Sequence, residues 1–205
     1  MRVIVLVHGI HTRRRKARRW YEPLGTLLRQ RMPSVQVEPF FYGWMAGLSI
    51  RLPLVGVMVR KRLIRKFQKF VRKLVKKHGP ELEVDVVAHS FGTWITHHSM
   101  SKGKWHTFYR RLVYMGSIVS SRENFKGEKG HYEHILNLHS RGDDVIRLVP
   151  FGHSGYRGFV NWEGNSVVNG DLTPANHNDY TEPGLAWEKL VRFLALQGIA
   201  EVVNA

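Results

Sequence analysis

The stretch "VDVVAHSFG", residues 84–92, puts a polar hydroxyl where a run of β-branched residues meets a segment of helical composition. A chain built only for packing seldom places a serine there. Ala88, two residues before Ser90, and Gly92, two after, are small enough to let neighbouring backbone approach from both sides. If the valine run is a buried strand and "FGTWITHHSMS" a helix, Ser90 stands on a sharp strand-to-helix turn with its Oγ projecting. Phe91 then opens the helix. Its N–H has no intrahelical acceptor and points into the same space, with the positive end of the helix behind it. Ser90 is a candidate nucleophile and the Phe91 N–H a candidate oxyanion donor; the plainer alternative is a serine that caps the helix.

The rest of the chain supplies a frame for that turn. "RVIVLVHG" is a continuous apolar run, as in a parallel strand covered on both faces. From Ala17 to Arg31 the residues Trp20, Leu24, Leu27 and Leu28 recur at helical spacing. "VQVEPFFYGW" is strand-like, and positions 59, 63, 67, 70 and 74 draw one stripe of a helix over Val59–Val75, closed by Gly79 and Pro80. "RRLVYMGSIV", "HILNLHS" and "NSVVNG" give three more strands, and "GLAWEKLVRFLALQG" a terminal helix. Strands alternating with helices over 205 residues predict a single α/β domain with a mostly parallel sheet of about six strands and helices on both faces. A chain of this size buries roughly 70 to 75% of its unfolded surface.

With these motifs in place, the sequence resembles the α/β-hydrolase family, and within it the small lidless bacterial lipases and esterases that carry A-x-S-x-G. The resemblance rests on "VDVVAHSFG" and on "VLVHGI", residues 5–10. It implies a single-domain α/β-hydrolase fold over residues 1–205 that lacks the first two strands of larger members. It also implies that Ile10, after the His-Gly pair, gives the second oxyanion N–H, and that an acid and a base follow the serine in the order Ser, Asp, His.

Five aspartates are available for the acid. Asp85 lies inside the strand before Ser90, where relatives carry a structural aspartate, and Asp171 and Asp179 are too close in sequence to the candidate base. Asp143 and Asp144 remain, directly after a strand. The family pattern of an aspartate, any residue and two apolar ones favours Asp143, with Asp144 as second choice. His177, in the loop after the last strand, is the expected base. His8 and His89 are read as braces of the oxyanion turn, His97 and His98 as helix residues, and "GHSGY" at 152–156 as a decoy because Tyr156 replaces the second glycine. His131 and His134 form an H-x-x-H pair without a third ligand at recognisable spacing, so no metal site is predicted, and the triad chemistry requires no cofactor.

Charge is unusual: 32 Lys and Arg oppose 16 Asp and Glu, for a formal net of +16. Half of the cations fall in "RRRKARR" at 13–19 and in Arg60–Lys77. The second group belongs to a basic amphipathic insertion read at 43–78. It is either a helix with solvated charges or an interfacial element on an anionic membrane; nucleic acid is less expected, because aromatic residues are not interleaved with the charges. The first group either starts a helix in water or lines the site mouth and favours an anionic ester or thioester. There are no cysteines, and neither a secretory signal nor a bilayer-spanning run is read, so a cytoplasmic place with peripheral membrane contact is expected. The leading expectation is a serine esterase or lipase-like hydrolase acting on a small-molecule or lipid ester. The alternative is a non-catalytic basic module on membrane or nucleic acid.

Overall fold

The computed structural model describes residues 1–10, 14–43, 53–101, 108–123, 125, 130–148, 152–160 and 166–195. Six strands, β1 (Arg2–Val7), β2 (Val35–Phe40), β3 (Glu83–His89), β4 (Tyr109–Met115), β5 (Tyr132–His139) and β6 (Val167–Asp171), make one sheet. Their order is β2-β1-β3-β4-β5-β6, and every neighbouring pair is parallel. Among the described residues the helices are α1 (Arg14–Arg31), α2 (Pro53–His78), α3 (Phe91–Ser101), α4 (Asp144–Leu148), α5 (Ser154–Arg157) and α6 (Leu185–Ala195).

The two-residue period of β1 divides the core. Val3, Val5 and Val7 face the cluster built with α2 and α3, whereas Ile4 and Leu6 face the one built with α1 and α6. Both faces are therefore covered, which explains the unbroken apolar run of the sequence. The chain leaves β1 towards β2 on one side and returns to β3 on the other, so the direction of winding reverses at β1. In such sheets the crevice at the carboxyl ends of the two strands flanking the reversal is where ligands bind. Val7 pairs with Ala88 there, which brings the segment after β1 beside Ser90.

Two helices are longer than the periodicity predicts. Helix α2 runs from Pro53 to His78 rather than from Val59 to Val75. Proline suits a first helical position, and Gly79, at φ 95°, ends the helix in the left-handed region while its N–H donates to the Val75 carbonyl. The apolar stripe marked only the part of α2 that packs. Helix α1 begins at Arg14, so most of the "RRRKARR" run lies in its first turns. Residues 44–52, the first part of the insertion read at 43–78, lie outside the described residues; α2 itself is the crossover from β2 to β3. Among the described residues no helix is long and apolar enough to cross a membrane.

At the amino edge, a charged cluster ties α6 to the sheet. Asp85, fully buried inside β3, accepts a hydrogen bond from Arg2 Nε at 2.5 Å. Arg2 Nη2 donates to the Leu194 carbonyl, and the buried Arg111 Nη1 donates to the carbonyls of Phe193 and Leu194. The last carbonyls of a helix lack intrahelical donors, and these arginines supply them. Replacing Asp85 with Ala leaves the arginines without their buried counter-charge, so the expected loss is about 3 to 5 kcal/mol of unfolding free energy in urea titrations.

Candidate active site

Ser90 lies between the last residue of β3 and the first of α3, at φ 53°, and among non-glycine described residues it alone has a positive φ. Several contacts hold it there. Its N–H donates to the Met115 carbonyl at 2.9 Å, and its own carbonyl accepts from Thr93 Oγ1 at 2.7 Å and Thr93 N at 3.0 Å. Thr93 Oγ1 in turn accepts from Ser117 Oγ and the Ile118 N–H, which fixes the elbow to the segment after β4. Gly92 is required by space: a Cβ there would lie 2.7 Å from the carbonyl oxygens of Val7 and His8. A Cβ on Gly9 would lie 3.0 Å from Ser90 Cβ and 3.4 Å from its Oγ, so the His-Gly turn sits directly over the serine.

The loops of Asp143 and His177 are joined to each other. His177 Nδ1–H donates to Asp143 Oδ2 at 2.9 Å, and Asp143 is fully buried. The other oxygen, Oδ1, accepts the Ile146 N–H at 3.0 Å, so Asp143 is also the N-cap of α4. Asp144, one residue on, is exposed and pairs with Arg147 at 3.7 Å. The Arg141 N–H donates to Thr173 Oγ1, and Gly142 packs so closely on the Pro174 carbonyl that a side chain has no room. Asp171 and Asp179 serve their own loop, accepting from Thr173 and from the Asn176 N–H.

With Nδ1 protonated and bonded to Asp143, His177 keeps its Nε2 lone pair for a proton. No hydrogen bond joins Ser90 Oγ to His177 in this state, and the Oγ makes none to any described residue. Looseness at that joint is common before substrate binds. The two loops are nonetheless adjacent: the rings of His89, next to Ser90, and His177 have centroids 4.7 Å apart, and His89 Nε2–H donates to the His177 carbonyl at 3.2 Å. His89 thus braces the loop of His177, not the His-Gly turn alone. His8 does brace that turn, donating from Nδ1 to the Gly9 carbonyl at 2.7 Å and stacking on Tyr42, whose hydroxyl donates to the His8 carbonyl.

Ile10 follows Gly9 and packs on the core, and Phe91 is buried as the first residue of α3. Their N–H groups belong to the two segments that flank the serine. Gly116, at φ 54° after β4, has no counterpart in the sequence reading. A Cβ there would lie 3.1 Å from Asp143 Oδ2, His177 Nδ1 and Tyr180 Cε2 alike. Its signal was the glycine directly after an apolar strand in "LVYMGS". Ser154 of "GHSGY" begins the short helix α5, fully buried against the segment after β4, and has no place at the reversal crevice. His134 lies 3.3 Å from Glu133, and among the described residues no three potential ligands gather round a metal-sized space. A cleft of about 680 Å³ opens at the opposite, amino edge of the sheet, beside Glu83, Arg110 and Glu133; it contains neither serine nor histidine.

No protein-family model and no curated protein sequence matches the chain. Solved structures do. Esterase PE8 is 13% identical, with 94% of this chain and 90% of that one covered and a TM-score of 0.63. TT1662 from Thermus thermophilus is 12% identical over 99% of this chain and 89% of its own, with a TM-score of 0.66. A cutinase-like protein from Cryptococcus sp. is 9% identical over 95% and 93%, with a TM-score of 0.57. The chain has the α/β-hydrolase fold.

Two outcomes are expected from this geometry. Gly116→Ala adds a methyl against both members of the hydrogen-bonded pair at a left-handed backbone position, and should cost about 1 to 3 kcal/mol in urea unfolding. Burial lowers the pKa of His8 to about 4, and burial followed by the neighbouring His177 lowers that of His89. Both imidazoles take up protons more readily in the unfolded chain, so their contribution is complete above the unfolded value near 6.5 and is lost as pH falls below it, for His8 towards about 4. Urea midpoints should fall over that window. His8→Asn, which keeps a donor but does not titrate, should remove on the order of 2 to 3 kcal/mol of the acid-side loss.

Proposed function

We propose that the protein is a serine hydrolase that cleaves carboxylic esters, with thioesters as the nearest alternative acyl donors. The observation that carries this reading is the 2.9 Å hydrogen bond from His177 Nδ1 to the buried Asp143, formed beside a serine held at positive φ on a strand-to-helix turn. Structures that share the fold, among them an esterase, a pyrethroid hydrolase and a cutinase-like protein, support the same chemistry.

Each role follows from the groups present. His177 Nε2 takes the proton of Ser90 Oγ as the oxygen attacks the ester carbonyl. Asp143 holds the ring in the tautomer that leaves Nε2 unprotonated and stabilises the cation formed when it is protonated. The carbonyl oxygen becomes an oxyanion, which the Ile10 and Phe91 N–H groups receive; one such donor is typically worth about 3 to 4 kcal/mol. The imidazolium then protonates the leaving alcohol and leaves an acyl-serine, which water cleaves by the same steps in reverse roles. Neither a metal nor a cofactor enters these steps.

A panel of p-nitrophenyl esters of increasing chain length, with an acyl thioester beside them, tests the reaction and ranks the acyl group. The expected result is a burst of p-nitrophenolate matching the enzyme concentration, followed by slower turnover. Ser90→Ala should abolish the burst. Asp143→Asn should lower kcat by about 1,000- to 10,000-fold, and Asp144→Asn should leave it unchanged. Equal activity of the Ser90→Ala protein would overturn the assignment.

A further inference from the structure

Helix α2 holds ten Lys or Arg residues and no acid. It is about 39 Å long, against about 20 Å for the six-residue strands beside it. Its carboxyl end leads through Gly79 into β3, level with the amino edge of the sheet. Halfway along, Phe67 and Phe70 meet the ring of Phe40, the last residue of β2, with centroids 5.0 and 5.1 Å apart. Phe40 is in register with Val7, and Val7 with Ala88, so this is the level at which the chain turns into Ser90. The turns of α2 before Phe67 therefore run towards the carboxyl edge on the side of the nucleophile, packed on the core through Val59 and Leu63. Arg60 lies over the ring of Trp94, in the first turn of α3, which holds this part of α2 beside the site.

The outer face of these turns carries apolar and cationic side chains together. Met58 is 74% exposed and Val57 43%, and one turn on, after the buried Val59 and the half-buried Arg60, come the exposed Lys61 and Arg62. Across the same edge, on the helix that Asp143 caps, Leu148 is 81% exposed and Val145 51%. Exposed aliphatic groups ringed by cations are what a bilayer of acidic lipid accepts: the hydrocarbon enters the headgroup boundary and the charges meet phosphate. Nucleic acid would use exposed aromatic platforms, and among the described residues the exposed large aromatic, Phe108, lies at the opposite edge.

We propose that the carboxyl edge of the sheet docks on an anionic lipid bilayer through Val57, Met58, Val145 and Leu148 with Lys61 and Arg62, turning the mouth above Ser90 towards the membrane. The substrate is then an ester presented by the bilayer; that last clause rests on the hydrolase reading, whereas the docking does not.

The test uses Ser90→Ala protein, which leaves lipid intact, sedimented with phosphatidylcholine vesicles with or without about 30% phosphatidylglycerol. Partition should be at least about tenfold higher on the anionic vesicles and should fall steeply between roughly 0.1 and 0.5 M salt. Added to this background, Lys61→Glu with Arg62→Glu should lower it about 20-fold or more, and Met58→Asp with Leu148→Asp about tenfold. In protein with Ser90 intact, the same pairs should leave hydrolysis of a soluble short ester unchanged. Equal partition on both vesicles, indifference to either pair, or displacement from the vesicles by a duplex oligonucleotide that binds through Lys61 and Arg62 would overturn the docking. Binding by Ser90→Ala protein without ester hydrolysis by the unmutated chain would instead refute the hydrolase reading alone.

Discussion

Ser90 is held in a left-handed backbone conformation that a residue with a Cβ adopts at a cost of about 1 to 3 kcal/mol. Such a conformation persists only where its surroundings over-determine it. Here the Met115 carbonyl takes its N–H, Thr93 takes its carbonyl, and Gly92 lets α3 approach the carbonyls of Val7 and His8. Each of these partners depends on the sheet. The parallel register of β1, β3 and β4 sets those atoms at one level, and burial of their valines on both faces sets the register.

The second half of the site is built by a different device. Asp143 divides its two oxygens between the first turn of α4 and the ring of His177, so the fold of a five-residue helix and the tautomer of an imidazole are one arrangement. Full burial of the carboxylate keeps water from competing for the ring. The loop of His177 is then fastened at two more points, Thr173 to the turn before Asp143 and the His177 carbonyl to His89 beside the serine. These bonds orient an imidazole above the crevice although no helix or strand carries it.

The frame of the molecule was legible because its signals are local. Buried parallel strands read as unbroken apolar runs, and all six were found within a few residues of their ends. The strand-to-helix turn at Ser90 and Phe91 was likewise local, whereas the strand order that puts Gly9 beside it belongs to the folded sheet. What sequence could not settle is long-range or depends on a single register step. Asp143 and Asp144 differ by one position, and only the start of α4 turns one inward and the other into water. His89 binds a carbonyl 88 residues away, for which no local pattern exists. Gly116 presses on a pair of side chains that the sequence had already paired, yet its φ and its neighbours belong to the folded sheet. The length of α2 was understated because periodicity marks the packed stripe, whereas Pro53 and Gly79 mark the ends.

The central claim is that this arrangement activates one serine among those in the chain. Reaction with a fluorophosphonate, followed by intact mass and peptide mapping, tests it most directly. A single phosphonyl adduct on Ser90 is expected in the native protein, absent after urea unfolding and strongly slowed in the His177→Ala variant. No adduct, or an adduct on another residue that persists in Ser90→Ala protein, would contradict it.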